Sequence, residues 1–161
     1  MNPITELLPA SNVLVDLDVG SKKRVFEHVG LLFENNQHVG RSEVFDSLFA
    51  REKLGSTGLG QGVAIPHGRI SKLRDATGAM IRLKQPIPFD APDGKPVDLI
   101  FVLLVPERAT DMHLEILSTL AQMLSDKPFR DAMLAAPDAE ALYQLIVKWQ
   151  PYAENQRSQV V

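Results

Sequence analysis

A single histidine follows a glycine-rich segment and a proline near the middle of this chain, an arrangement suited to presenting an imidazole to an anion. Glycines turn through positive φ and let a backbone approach a ligand closely, so the segment offers free N–H groups. A short apolar run over residues 63–65 ends at Pro66, which cannot donate to a neighbouring strand. We therefore expect His67 at the end of a strand, on a rigid bend. The glycines of this segment are Gly55, Gly58, Gly60 and Gly62.

Phosphoryl transfer is a reaction that suits such a histidine. A neutral imidazole is nucleophilic near neutral pH because its unperturbed pKa is about 6.5, so it accepts a phosphoryl group without a dedicated base. The transition state needs positioning and cationic or N–H-rich surroundings. Arg51, the glycine segment and the helix start at His113 are candidates for these surroundings. A simpler interpretation of Arg51 is a cation at a helix C-terminus.

The other three histidines occupy different positions. We expect structural or solvent roles for His28, in the middle of a helix, and for His38, in a polar turn. His113 falls in the first turn of a predicted helix, where unpaired N–H groups and the helix dipole favour anions and disfavour a charged imidazole. A neutral His113 could donate a hydrogen bond there, although its position alone slightly favours an ordinary polar residue.

Templates for other sites fit poorly. The glycine segment lacks the Gly-Lys-Ser/Thr ending of a P-loop, and neither a third fingerprint glycine nor a helix follows Gly58-Leu-Gly60. Ser56 lies in Gly-Ser-Thr-Gly, which is not a nucleophile elbow. The histidines show no close metal-ligand spacing, so we expect no metal and no cofactor. A metal site made of His67, His113 and a carboxylate stays an alternative with weak support.

Composition indicates one globular domain, which we place at residues 1–150, followed by a polar tail at 151–161. A chain of 161 residues with 45% hydrophobic and 23% charged residues can bury a substantial core. Its net charge of −3 disfavours non-specific nucleic-acid binding. The absence of cysteine excludes disulfides and a cysteine nucleophile. With no long apolar run and no signal-peptide pattern, we expect no membrane insertion and a cytoplasmic location.

Hydrophobic periodicity predicts a strand and two helices before the glycine segment. Alternation over residues 13–19 predicts a half-buried strand with its four odd-numbered apolar residues on one side. Ser21 is expected to cap a helix that runs to about Asn35, and Ser42 to cap a second helix. The apolar stripe of the first helix consists of Val25, Val29, Leu32 and Phe33, and that of the second of Phe45, Leu48 and Phe49.

Two strands are predicted after His67. The first covers residues 79–83, and a proline-rich loop with a hairpin-like turn at Asp93-Gly94 follows it. The second contains seven consecutive apolar residues at 99–105 and ends at Pro106. A run of this length is typical of a central strand buried on both faces.

Three helices are predicted in the last third of the chain. Thr110 or Asp111 caps the first, Pro128 suits the first turn of a short second helix, and Asp138 caps the third. Strands mixed with paired helices indicate a layered α/β domain, and the irregular order of strands and helices favours a mixed sheet over a parallel one. The inward residues predicted for the first of these helices are Leu114, Leu117, Leu120, Ala121 and Leu124.

The segment Ala64-Ile-Pro-His67-Gly68, preceded by Leu59-Gly60 and Glu52, resembles the active-site signature of enzyme IIA domains of the mannitol/fructose type. These domains belong to the phosphoenolpyruvate-dependent phosphotransferase system. Segments 21–24, 51–60 and 96–99 resemble the nitrogen-regulatory branch, and the similarity extends over about residues 5–147. The resemblance implies a three-layer α/β/α sandwich with a mixed parallel and antiparallel central sheet.

The resemblance also implies a function as a regulatory phosphocarrier. His67 would accept a phosphoryl group from a small HPr-like protein, Arg51 would steady that group, and His113 would be the second active-site histidine. Its phosphorylation state would control partners such as a transporter or a sensor kinase, in nitrogen metabolism or potassium transport. The loop expected to supply backbone donors to the phosphoryl group consists of Gly55, Ser56, Thr57 and Gly58.

Two alternative functions stay open at this point. The chain could be a stand-alone IIA component of a fructose- or mannitol-type permease, which passes its phosphate to a IIB domain. It could also be a binding module without turnover, in which His67 is merely structural.

Overall fold

A computed structural model describes residues 2–108 and 111–150, so the predicted tail at 151–161 lies outside the described residues. Two short 3-10 helices, Pro3–Glu6 and Ala10–Asn12, precede the first strand. The strands are β1 (Val13–Leu17), β2 (Gly58–Gly60), β3 (Val63–Ala64), β4 (His67–Ile70), β5 (Thr77–Ile87) and β6 (Val97–Pro106). The helices are α1 (Lys22–Gln37), α2 (Arg41–Lys53), α3 (Asp111–Ser125), α4 (Lys127–Ala135) and α5 (Ala139–Lys148).

The six strands form one mixed sheet, as predicted. Strands follow the order β1-β5-β6-β3-β2, with β5 antiparallel to β6 and β1 parallel to β5. Both β3 and β4 pair in parallel with β6, so that Val63 lies opposite Leu99 and His67 opposite Leu103. The predicted strand before His67 is present as β3, whereas His67 itself begins a further strand, β4, that was not predicted. Pro66 interrupts the pairing only briefly, since its carbonyl still accepts the Leu103 N–H at 2.9 Å.

Helices cover both faces of the sheet, which confirms the three-layer α/β/α architecture. In β6, Phe101, Leu103 and Val105 face the core shared with α3, α4 and α5, whereas the alternate residues face α1 and α2. The seven-residue apolar run is therefore buried on both faces, as predicted. Burying each of these large apolar side chains contributes about 1.5–3 kcal/mol.

The first helix begins as predicted, whereas the second does not. Ser21 caps α1, and its hydroxyl accepts the Arg24 N–H at 3.2 Å. Helix α2 begins at Arg41 with Gly40 at the N-cap, so the prediction of Ser42 as the cap is wrong. The Glu34 carboxylate reaches across from α1 and accepts the Arg41 N–H at 3.0 Å, which satisfies a first-turn donor without a local cap.

The predicted one-sided alternation of the first strand is wrong. Asp16 adopts a left-handed conformation with φ of 58°, and the pairing of β1 with β5 shifts between Leu14 and Leu17. Val15 consequently packs toward α3–α5, whereas Leu17 packs toward α1 and α2. One left-handed residue thus exchanges the two faces of the strand.

Helices α4 and α5 begin as predicted, whereas Asp111 lies inside α3 and does not cap it. Asp111 begins α3, while Thr110 lies outside the described residues. Pro128 lies in the first turn of α4, and the Asp138 carboxylate caps α5 by accepting the Ala141 N–H at 2.8 Å. The inward position predicted for Leu114 is wrong: its side chain is 65% exposed, because the first turn of α3 borders a cleft instead of the core.

Candidate functional site

A cleft of about 520 Å³ lies beside β4, between the end of α2 and the start of α3. Helix α2 lines it with side chains three to four residues apart, which places them on one face of the helix. The three residues predicted to form a site, Arg51, His67 and His113, all line this one cleft. The structure therefore brings together residues that are distant in the sequence. Arg51 and His67 are 16 residues apart, and His67 and His113 are 46 residues apart.

The His67 ring is oriented by the backbone carbonyl of Ile65, two residues earlier in the chain. Its Nδ1 lies 2.8 Å from the carbonyl oxygen of Ile65, and the side chain is half-buried. Because a carbonyl can only accept a hydrogen bond, Nδ1 carries the proton in this arrangement. The neutral ring then has its lone pair on Nε2, on the far side of the ring from Ile65. In this tautomer Nε2 is the nitrogen with a lone pair available to an electrophile.

A close approach between β4 and α2 fixes His67 relative to Arg51. A Cβ atom at Gly68 would collide with the hydroxyl of Ser47, so glycine is the residue that fits without displacing Ser47. The same hydroxyl donates to the carbonyl oxygen of Arg69 at 2.8 Å. Ser47 of α2 thus contacts β4 at Gly68 and at Arg69, directly after His67.

Arg51 lies in the last turn of α2, and its side chain is held by the loop that follows. Nη1 donates to the carbonyl oxygen of Gly55 at 2.8 Å. A guanidinium has five N–H donors in a planar fork, so several donors are left for an anion in the cleft. Arg51 therefore keeps donors for an anion in the cleft that it shares with His67.

A buried carboxylate fixes this loop from the other side. Glu52 accepts hydrogen bonds from Nζ of Lys22 at 2.9 Å, from the Thr57 N–H at 3.2 Å, and from the Thr57 hydroxyl. Nζ of Lys22 also lies 4.6 Å from the ring centroid of Phe89. Sequence reasoning noted Glu52 only as part of a motif, because nothing local marks a glutamate as buried.

The predicted donor loop is not brought to the cleft. None of residues 55–58 lines it. The Thr57 N–H is bonded to Glu52, and the Gly58 N–H is bonded to the hydroxyl of Ser56 at 3.0 Å. Both N–H groups are thus already hydrogen-bonded outside the cleft, and the contribution of the loop in this structure is to hold Arg51 through the Gly55 carbonyl.

The rim of the cleft contains residues that sequence reasoning missed. Leu54 is 84% exposed and Leu114 is 65% exposed, and both line the cleft. Arg69 also lines it, two residues after His67 on the same strand. The signal that would have found Arg69 is the two-residue period of a strand, which places residues 67 and 69 on one side.

The part of the chain that the structure describes offers little support for other kinds of site. His28 and His38 are exposed and do not line the cleft. Within residues 2–108 and 111–150, no group of three or more His, Asp or Glu side chains is arranged to hold a metal ion. In the same ranges, no helix has the length and apolar content that crossing a membrane requires.

The sequence is similar to a known family over most of its length. A sequence model of the family described as "Phosphoenolpyruvate-dependent sugar phosphotransferase system, EIIA 2" matches residues 6–149. The chain belongs to this EIIA 2 family. The resemblance inferred from the histidine motif is thereby confirmed at the level of the family.

Relatives of this EIIA 2 chain include several nitrogen regulatory proteins. The one from Pseudomonas aeruginosa is 48% identical over 145 residues, which cover 89% of this chain and 94% of that protein. The one from Escherichia coli is 45% identical over 128 residues, or 78% of each protein. The crystal structure of nitrogen regulatory protein IIA-Ntr from Neisseria meningitidis superimposes with a TM-score of 0.85 at 56% identity, covering 89% of this chain and 99% of that one.

Mannitol-type members share the fold of this EIIA 2 chain at much lower identity. The crystal structure of IIA mannitol from Escherichia coli has a TM-score of 0.71 at 17% identity, covering 85% of this chain and 96% of that one. The resemblance to the nitrogen-regulatory branch is thus supported by sequence, whereas the likeness to the mannitol type extends to the fold alone.

Proposed function

We propose that this EIIA 2 chain is a regulatory phosphocarrier that accepts a phosphoryl group on Nε2 of His67 from a phosphohistidine of a small HPr-like protein. The observation that carries the proposal is the hydrogen bond from Nδ1 of His67 to the Ile65 carbonyl oxygen, 2.8 Å long, in a cleft shared with Arg51 and His113. It leaves the lone pair on the nitrogen that is free to attack.

The transfer step needs no base within the protein. The lone pair of Nε2 forms a new N–P bond while the N–P bond to the donor imidazole breaks, and that electron pair stays on the donor ring as a neutral imidazole. The Nδ1 proton remains on His67, where the Ile65 carbonyl stabilises the positive charge that the phosphorylated ring acquires. Charge and atoms balance without an additional reactant.

Arg51 and His113 complete the proposed reaction site. In the transition state the phosphoryl group lies between the attacking and the leaving nitrogen and carries its negative charge on its three equatorial oxygens, so cations and N–H donors aimed at these oxygens lower the barrier. Arg51 has donors left beyond its bond to Gly55. His113 lies half-buried in the first turn of α3, where the helix dipole favours an anion.

Regulation follows from the change in charge at this cleft. Phosphorylation adds about −1.5 to −2 charges at neutral pH for ordinary phospho-residues. A comparable change beside the exposed side chains of Leu54 and Leu114 would alter which partner surfaces bind there. The nitrogen regulatory relatives support partners that act in nitrogen metabolism, and the family resemblance extends these to a transporter or a sensor kinase.

Labelling with phosphoenolpyruvate and purified upstream carriers tests the proposal. We expect a phosphate that is stable in base and labile in acid, and that is absent from His67→Ala. His28→Ala is the matched control, because His28 is exposed and does not line the cleft, and it should be labelled like the wild type. Labelling of His67→Ala would assign the phosphate to another residue.

Two further outcomes distinguish the alternative functions. A wild-type chain that takes no label would support a binding module without turnover. A label that a sugar-specific IIB domain removes would support a permease component. For the regulatory function, a pull-down should recover different partners with the phosphorylated and the unphosphorylated chain.

A further inference from the structure

We propose that Arg69 is a second phosphoryl-binding residue of the His67 site, in addition to Arg51. The inference rests on the proposed function and adds a residue to it. Both arginines line the cleft that contains His67. Arg51 approaches from α2, while Arg69 belongs to the same strand as the histidine.

Strand geometry places Arg69 on the His67 side of β4. Gly68 faces α2, because a Cβ atom there would meet Ser47. Side chains alternate along a strand, so His67 and Arg69 both project from the other face, with α-carbons ~6.6 Å apart. Their partners on β6, Leu103 and Val105, share one core cluster, in agreement with this alternation.

The backbone of Arg69 is fixed, whereas its guanidinium is available. Its carbonyl accepts the Ser47 hydroxyl at 2.8 Å, and Arg69 pairs with Val105 in the sheet. The side chain is exposed, and Nη1 makes one long hydrogen bond, 3.4 Å, to the carbonyl oxygen of Glu107. A bond of that length to a neutral acceptor is weak compared with a charge-assisted one.

The charge of Arg69 has no carboxylate partner in the described ranges, 2–108 and 111–150. Three other arginines do form ion pairs there, Arg24 with Glu27, Arg41 with Glu34 and Arg82 with Asp16. At the cleft, Arg51 and Arg69 each donate to a backbone carbonyl, as Arg130 does at Leu124. Both guanidinium groups at the cleft thus donate to neutral acceptors in this structure. A phosphoryl group on His67 would give them a negatively charged acceptor.

The proposed binding step exchanges one hydrogen bond for a stronger one. When the N–P bond to Nε2 of His67 forms and the donor N–P bond breaks, the phosphoryl oxygens keep their negative charge. Arg69 then leaves the Glu107 carbonyl and donates to one of these oxygens, while Arg51 donates to another. Binding of the product state by Arg69 stabilises phosphorylated His67 relative to the phosphorylated donor.

Substitution of Arg69 tests this step in the full chain. We expect Arg69→Gln to slow phosphoryl transfer about tenfold in a single turnover and to shift the phosphoryl equilibrium toward the donor by a similar factor. Arg69→Lys should recover part of both, because it keeps the charge but loses the fork of donors. Arg24→Gln, which removes an exposed arginine on α1, should leave both quantities unchanged.

The equilibrium measurement separates binding of the phosphoryl group from docking of the donor. A contact that serves docking alone would raise the donor concentration needed for half-maximal rate and leave the equilibrium between the free proteins unchanged, which would overturn the proposal. Wild-type rate and equilibrium in Arg69→Gln would overturn it as well. If the wild-type chain takes no label, the proposed function itself fails, whereas a labelled wild type with an unaltered Arg69→Gln contradicts only the role of Arg69.

Discussion

The Glu52 carboxylate and the Lys22 ammonium lie 2.9 Å apart, and the glutamate side chain is only 3% exposed. This ion pair joins the start of α1 to the end of α2, one residue after Arg51. Because Glu52 also binds Thr57, it fixes the loop whose Gly55 carbonyl holds Arg51. The pair is thus the support behind one wall of the cleft.

Removal of Lys22 should destabilise the protein. Lys22→Met leaves the buried Glu52 without its cation, and we expect the free energy of unfolding to fall by roughly 1–3 kcal/mol, since Lys22 itself is partly exposed. Urea unfolding measures this loss. Lys23→Met on the exposed side of the same turn is the control, and adding Glu52→Gln to Lys22→Met should restore part of the stability. If Lys22→Met has the same free energy of unfolding as the wild type, the ion pair contributes nothing to stability.

Arg51 should matter for rate much more than for stability. We expect Arg51→Ala to slow phosphoryl transfer to His67 about 100-fold, because it removes a donor aimed at developing charge. Arg51→Lys should recover only part, since an ammonium lacks the planar fork. Rapid-quench labelling measures the rate, and Lys53→Ala in the same turn is the control. Equal rates in Arg51→Ala and wild type would remove Arg51 from the site.

His113 should make a smaller contribution to the same rate. We expect His113→Ala to slow transfer about tenfold, and His113→Gln to be less impaired because its amide still donates a hydrogen bond. The matched control is His38→Ala, at an exposed position outside the cleft. A normal rate in His113→Ala would return this residue to the ordinary first-turn interpretation.

Gly68→Ala should be costly although the change is one methyl group. The added Cβ would meet the Ser47 hydroxyl, with the Ser47 Cβ also only 3.1 Å away, so we expect a loss of about 1–3 kcal/mol in the free energy of unfolding. Gly20→Ala is the control, since no atom lies within 4 Å of the position that its methyl group would take. Adding Ser47→Ala should relieve part of the strain, and a fully stable Gly68→Ala would show that β4 and α2 can move apart.

Asp93 should make stability depend on pH in the acid range. The Gln61 N–H, at 2.8 Å, and then the Lys95 N–H, at 3.0 Å, lower the pKa of Asp93 below its ordinary value of 3.8. The folded state thus favours the carboxylate, so this stabilisation is present above pH 3.8 and is lost as the pH falls through the lowered pKa. Denaturant midpoints of wild type and Asp93→Asn should therefore differ at pH 7 and converge in acid. A difference that stays constant with pH would contradict this.

Much of the fold could be predicted because it depends on local patterns. Ser21 and Asp138 cap helices through hydrogen bonds within three residues, and the apolar run in β6 needs burial on both faces wherever it lies. The Ser42 cap failed because the actual acceptor, Glu34, belongs to another helix. The prediction of an alternating first strand failed at Asp16. Its left-handed backbone conformation is not indicated by any pattern of apolar residues.

The candidate site, like the fold, could be predicted where it depends on local sequence and not where it depends on distant contacts. The chemistry proposed for His67 rests on its neighbours in the sequence, and Arg51 and His113, also candidates from the sequence, line the same cleft. The role expected for residues 55–58 depended on where their N–H groups point, and that is decided by Glu52 and Ser56 within the fold. The strand period places Arg69 on the side of His67, whereas its lack of a carboxylate partner within residues 2–108 and 111–150 is known only from three-dimensional contacts.

The cleft is lined by α2 from one helical layer, by α3 from the other layer, and by His67 from the sheet between them. Separation of either layer would therefore remove part of the reaction site before the rest of the chain has unfolded. Under the proposed function, a chain that has lost either layer would accept phosphate more slowly than the completely folded chain. Under the proposed phosphocarrier function, this dependence on both helical layers ties the rate of phosphoryl signalling to the integrity of the fold.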